Sequence, residues 1–132
     1  MKILFIILLG TLLAKNGFSQ TKADSMPLQA FIGAQGKYTF SLNDFQKQDS
    51  IKITYDSLSV STYIAYFFHP TVQKEDEVPM VWVAGNSLKS PDFLLMFKNF
   101  KPPFMITFDD IKLNTKYGIY NAPPFTVTIN PN

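Results

Sequence analysis

Along much of the chain from Ile51 to Asn130, apolar side chains recur at every second position, a period that admits little other than β-structure. Ile51, Ile53 and Tyr55 alternate with Lys52 and Thr54, and Phe104, Ile106 and Phe108 with Met105 and Thr107. Phe125, Val127 and Ile129 alternate with Thr126, Thr128 and Asn130 after the Pro123-Pro124 pair. A strand sends successive side chains to opposite faces, so each run reads as a strand with one face on a core. Tyr38 and Phe40 open an earlier strand, and Met80 to Val83 form a short one closed by the turn Ala84-Gly85-Asn86-Ser87.

The run from Leu58 to Phe68 is apolar on one face at Leu58, Val60, Ile64, Tyr66 and Phe68. The other face turns apolar at Tyr63, Ala65 and Phe67, which predicts a strand at the sheet centre covered on both sides. Asp109-Asp110 reads as a strand-end turn, with Ile111 and Leu113 continuing beyond it.

One segment has a different period. Phe93, Met96, Phe97 and Phe100 lie three and four residues apart, on one face of a helix. Ser90 suits the N-cap, Pro91 the first helical position and Asp92 the positive end of the helix dipole. Pro102-Pro103 cannot continue the helix. Regularly spaced short strands with turns between them then predict an all-β fold, an immunoglobulin-like antiparallel β-sandwich of about seven strands with one short helix. A small barrel is the alternative.

The N-terminus reads as a secretion signal. Lys2 is followed by an apolar run from Ile3 to Ala14, then by small residues at Gly17 and Ser19. Cleavage after Ser19 is expected. The organisation is therefore a signal peptide over 1–19, a flexible leader over 20–27 and one β-sandwich domain over 28–132, secreted or periplasmic. The apolar run falls short of the about 20 residues that span a bilayer, so no stable membrane insertion is expected after cleavage. No cysteine follows it, which excludes lipid attachment to a thiol.

Cleavage alters the charge balance. All 12 basic residues are lysines, and Lys2 and Lys15 leave with the signal, so the remainder is formally neutral against 10 acidic residues. Nucleic acid needs clustered cations to neutralise phosphates, and is not an expected partner. Without cysteine, stability must come from apolar burial, and 13 Phe, 6 Tyr and 1 Trp supply bulky rings for it.

The order of elements resembles the C-terminal, immunoglobulin-like domain of the gliding-motility and type IX secretion family GldM. The matching stretches are the central strand Tyr63 to Phe68, the turn Gly85-Asn86-Ser87-Leu88 and the helix from Ser90 to Lys101. Phe104 to Lys112, taken as a strand pair, and Pro123-Pro124-Phe125 before the final strand complete them. The chain departs from the family at Pro102-Pro103, where a glycine is usual, and at Asn114 to Gly118, where an Asp-Gly turn is frequent. The resemblance implies a domain type that makes contacts within a larger assembly.

Catalytic signatures are missing. With one histidine and no cysteine, a Cys-His nucleophile and a usual zinc site are excluded, and any serine triad would need His69. Glu75, Asp76 and Glu77 lack the alternating spacing of a calcium loop and read as loop solvation. Gly33-Ala34-Gln35-Gly36 has no Lys-Ser/Thr or helix after it to cradle phosphate. The expectation is a non-enzyme without cofactor or metal, a protein-interaction or structural module of the cell envelope with an envelope protein as partner. Trp82, Tyr117 and Tyr120 are the candidate contact residues, because rigid amphipathic rings dominate interface hot spots; Trp82 shares a strand with Met80, and core placement is the equal alternative for it. A carbohydrate- or peptide-binding module using exposed aromatics is the alternative function.

Overall fold

A computed structural model describes residues 27–55, 57–70 and 78–132. The signal, nearly all of the leader and the acidic run at 75–77 lie outside the described residues. Pro27, assigned to the end of the leader, is tied to the fold, its carbonyl accepting from Thr54 Oγ1 at 3.0 Å.

The chain runs β1 (Ala30–Phe31), β2 (Thr39–Ser41), α1 (Leu42–Gln46), β3 (Lys52–Ile53), β4 (Ser59–Phe68) and β5 (Met80–Ala84). It continues through α2 (Pro91–Lys98), β6 (Phe104–Thr115), β7 (Gly118–Ala122) and β8 (Phe125–Asn130). The fold is mostly β, as the period of two predicts. A six-stranded sheet has the order β2-β8-β6-β4-β5, with β7 also paired to β6, and β1 and β3 form a separate two-stranded ribbon. The large sheet does not close into a barrel.

Three features differ from the expected all-antiparallel arrangement with one helix. First, β2 pairs with β8 in parallel. The chain leaves β2 directly into α1, and the whole remaining domain separates the two strands, so no hairpin dictates their direction. Second, α1 is an additional helix. Ser41 caps it by accepting from the Asp44 N–H at 3.1 Å, and its one buried residue, Phe45, stacks on Phe97 at 5.3 Å.

Third, Asp109-Asp110 does not end a strand, so Phe104 to Lys112 is no strand pair. Here β6 carries an extra residue relative to β4, since Ile64 pairs with Asp109 but Thr62 with Lys112. The register is restored at Val60 and Leu113 by an extra residue, Ser61, in β4. Each bulge moves the buried face by one position. In β6 burial passes from Phe104, Ile106 and Phe108 to Ile111 and Leu113, and in β4 from Val60 to Tyr63, Ala65 and Phe67. The change of apolar face within β4 is therefore a bulge and not coverage on both sides; Ile64, Tyr66 and Phe68 are only half-buried. Asp110 takes the left-handed conformation at φ 48°, and Asp109 Oδ1 accepts its N–H at 2.7 Å. Short polar side chains are among the few besides glycine that adopt this region. At the same point β6 exchanges β8 for β7 as its neighbour.

The core lies on one face of the large sheet. There Phe93 and Phe97 of α2 meet Tyr63, Phe67, Phe104 and Phe108, with ring centroids 5.3 to 6.5 Å apart. Ala30, Ile32, Ile51 and Ile53 join the same buried cluster. Helix α2 forms as its caps predict: Ser90 Oγ accepts from the Phe93 N–H at 3.3 Å, Pro91 starts it and Asp92 lies in its first turn.

Candidate interaction surface

The opposite face of the large sheet carries no covering layer among the described residues, and β5 is its end strand. In Met80–Ala84 the alternation is complete: Val81 and Val83 are buried, whereas Met80 is 54% and Trp82 57% exposed. Cross-strand partners share a face, so Trp82 stands beside Ile64 and Met80 beside Tyr66. Trp82 is thus on the solvent side of its strand and not in the core.

The backbone of β5 is exposed in the same sense. The Phe67 N–H donates to the Pro79 carbonyl at 3.0 Å, and the Gly85 N–H to the Ser61 carbonyl at 2.6 Å. Bonded and non-bonded pairs alternate along an antiparallel ladder. Val81 and Val83 therefore direct their N–H and C=O groups to β4, while Met80, Trp82 and Ala84 direct theirs outward. No partner for those outward groups exists among the described residues.

Helix α2 runs beside this edge. Its residues Asp92, Leu95, Met96 and Asn99, one helical face, line an open groove of about 510 Å³ with Met80, Val81 and Trp82. Leu95 is 63% exposed, although the Phe93 and Phe97 stripe of the same helix is buried. Sequence reasoning missed Met80 and Leu95 as surface residues; Met96, expected on the core-facing stripe, is half-buried and packs against the core as well as lining the groove. The available signal was Leu94-Leu95, two large apolar residues off the core-facing stripe.

Tyr117 and Tyr120 lie elsewhere. Tyr117 is 77% exposed in the β6–β7 turn, where Thr115 Oγ1 accepts the Tyr117 N–H and donates to the Gly118 carbonyl, both at 3.0 Å. Tyr120 is 50% exposed on β7, opposite Leu113. Strands β4 and β6 separate β7 from β5. At the usual strand spacing that puts Tyr120 at least about 14 Å from Trp82. The three rings are exposed but do not form one platform.

The remaining polar candidates serve local structure. His69 Nδ1 lies 3.2 Å from the Pro103 carbonyl, with its ring stacked on Phe100 at 5.1 Å. Lys112 Nζ pairs with Asp110 Oδ1 at 2.9 Å across the bulge. Gly33 and Gly36 adopt positive φ in the turn after β1. Among the described residues no three His, Asp or Glu side chains group as a metal site. No helix among them is long and apolar enough to cross a membrane.

No protein-family model, curated protein or solved structure gives a significant match to this chain.

Proposed function

We propose that this chain is a non-catalytic interaction module of the cell envelope, secreted or periplasmic after loss of residues 1–19, which binds an extended segment of a protein partner along β5. The observation that carries this reading is the free, uncharged edge of Met80–Ala84, flanked by exposed Trp82 and by the Leu95 face of α2. In strand addition the backbone groups of such an edge supply affinity and the flanking side chains supply selectivity. Natural proteins usually guard an edge with charges, proline or a bulge, and β5 carries none of these between Met80 and Ala84.

An immunoglobulin-like sandwich of the GldM C-terminal type is the fold reading that goes with this function. Its support is the order of elements: the long strand β4, the turn at Gly85, helix α2, the long strand β6, and β8 after Pro123-Pro124. The large sheet and the β1–β3 ribbon would be its two layers.

The test is affinity capture from envelope extracts with the mature chain as bait, compared with its Ala84→Pro variant. Proline at residue 84 removes an outward N–H and leaves the bonds to β4 intact. The expected result is a specific protein retained by the natural chain and lost by the variant. Equal retention by both would reject the edge as the binding site. The carbohydrate- or peptide-platform alternative draws on the exposed ring of Trp82, and predicts instead a ligand whose binding depends on Trp82 and is unchanged by Ala84→Pro.

A further inference from the structure

We propose that β5 pairs with β5 of a second copy of this chain, antiparallel and centred on Trp82, to form a reversible two-fold dimer. The proposal rests on the edge-pairing reading above and names its partner.

The strand is nearly a palindrome. In Met80-Val81-Trp82-Val83-Ala84, antiparallel pairing about the centre sets Trp82 opposite Trp82, Val81 opposite Val83 and Met80 opposite Ala84. A two-fold interface requires such self-complementarity. The backbone imposes the same register. Residues 80, 82 and 84 carry the outward N–H and C=O groups, and this pairing matches outward residues only with outward residues, giving up to about six hydrogen bonds. A slip of one residue would set outward groups against inward ones and lose those bonds.

Charge favours the arrangement. No charged residue occurs from Val78 to Leu88, so the dyad brings no like charges together along the strands. The same dyad places the two α2 helices antiparallel across the new strand pair. The Asp92 end of each then lies toward the Lys98 end of the other, and Asp92 is the one charged residue lining the groove. Val81 and Val83 of the incoming strand share the helix-bearing face, against Leu95 and Met96. Pairing also covers an edge that would otherwise add strands indiscriminately.

Area sets the strength. Trp82, 57% exposed, has roughly 100 Å² to bury. With Met80, Leu95 and a five-residue edge the total falls short of the roughly 800 Å² per partner of a standard stable interface. A weak, concentration-dependent equilibrium follows, and about 1–100 µM is the range over which to look for it.

Sedimentation velocity of the mature chain across this range should show monomer passing to dimer. Trp82→Lys and Trp82→Glu should each be monomeric, since each puts like charges on the dyad, and an equimolar mixture of the two should pair again. A spin label on Ala84→Cys, unique because the chain has no cysteine, should show dipolar broadening from a neighbour about 14 Å away, four residues along the partner strand. A label on Tyr117→Cys should show none. A chain that remains monomeric throughout, a dimer that Trp82→Lys leaves intact, or charge variants that fail to pair when mixed would each overturn the dimer. If the chain is monomeric while Ala84→Pro still abolishes capture from extracts, the dimer fails and the edge-binding reading stands. If Ala84→Pro changes neither, both fail.

Discussion

Tyr63 is the buried phenol on which the middle of β4 is built. It has no exposed surface, sits among Phe93 and Phe108, and donates its hydroxyl proton to the Ser87 carbonyl at 2.6 Å. A phenolate there would lose its water and face a carbonyl oxygen, so burial pushes its pKa well above the ordinary value. The sign follows directly. The stability linked to this group is fully present below the usual tyrosine pKa near 10, and is lost progressively as pH rises from there toward the folded value. Tyr63→Phe should cost about 1 kcal/mol at pH 7 through the lost hydrogen bond. Above pH 10 the natural chain should lose up to about 1.4 kcal/mol per pH unit from this group alone. Urea denaturation at pH 7 and pH 11 should therefore show the gap shrinking or reversing; a gap independent of pH would mean that Tyr63 is not protected from ionisation. The position of Tyr63 was only half legible. The switch of apolar parity was visible in the sequence, but Ser61 gives none of the glycine or proline signals that mark an extra residue. Asp110, its counterpart in β6, resembles a turn residue because the chemistry that permits a turn also permits left-handed backbone within a bulge.

Among the elements, α2 was the most legible because several independent signals coincide in it: a capping serine, Pro91, Asp92 and the spacing of Phe93 and Phe97. Its core role makes a quantitative prediction. Phe97 is 5% exposed, and its ring packs on Phe45 at 5.3 Å and on Phe104 at 5.4 Å. Phe97→Ala should destabilise the domain by about 3–5 kcal/mol. Chemical denaturation would measure it, and a change within error would show that α2 does not cover the sheet. Helix α1 escaped notice because five residues are too few to show a helical period. The parallel direction of β2 was illegible for another reason. Three residues pair with a strand at the far end of the chain, and nothing local encodes which way a distant partner runs. Strand β5 gave its alternation plainly but not which of its faces would meet solvent, since Val81 and Val83 are as apolar as Met80 and Trp82. Its position at the end of the sheet decides that, and sheet order is a property of the whole molecule.

At the scale of the whole molecule, the described fold starts downstream of the expected cleavage point after Ser19. The first described residue, Pro27, is held through Thr54, and the core begins at Ala30. Apolar rings from α1, α2 and the sheet form one continuous cluster with the β1–β3 residues, which argues for a single cooperative unit. Two measurements follow from one expectation. Intact mass of the exported protein should show a chain beginning at Gln20, and a chain of residues 20–132 made without the signal should unfold in one two-state transition. The same chain should be formally neutral, because two lysines leave with the signal. An exported form that still begins at Met1 would overturn the signal reading. A 20–132 chain that fails to fold, or melts in two steps, would mean that the first nineteen residues contribute to the structure or that the domain is not one unit.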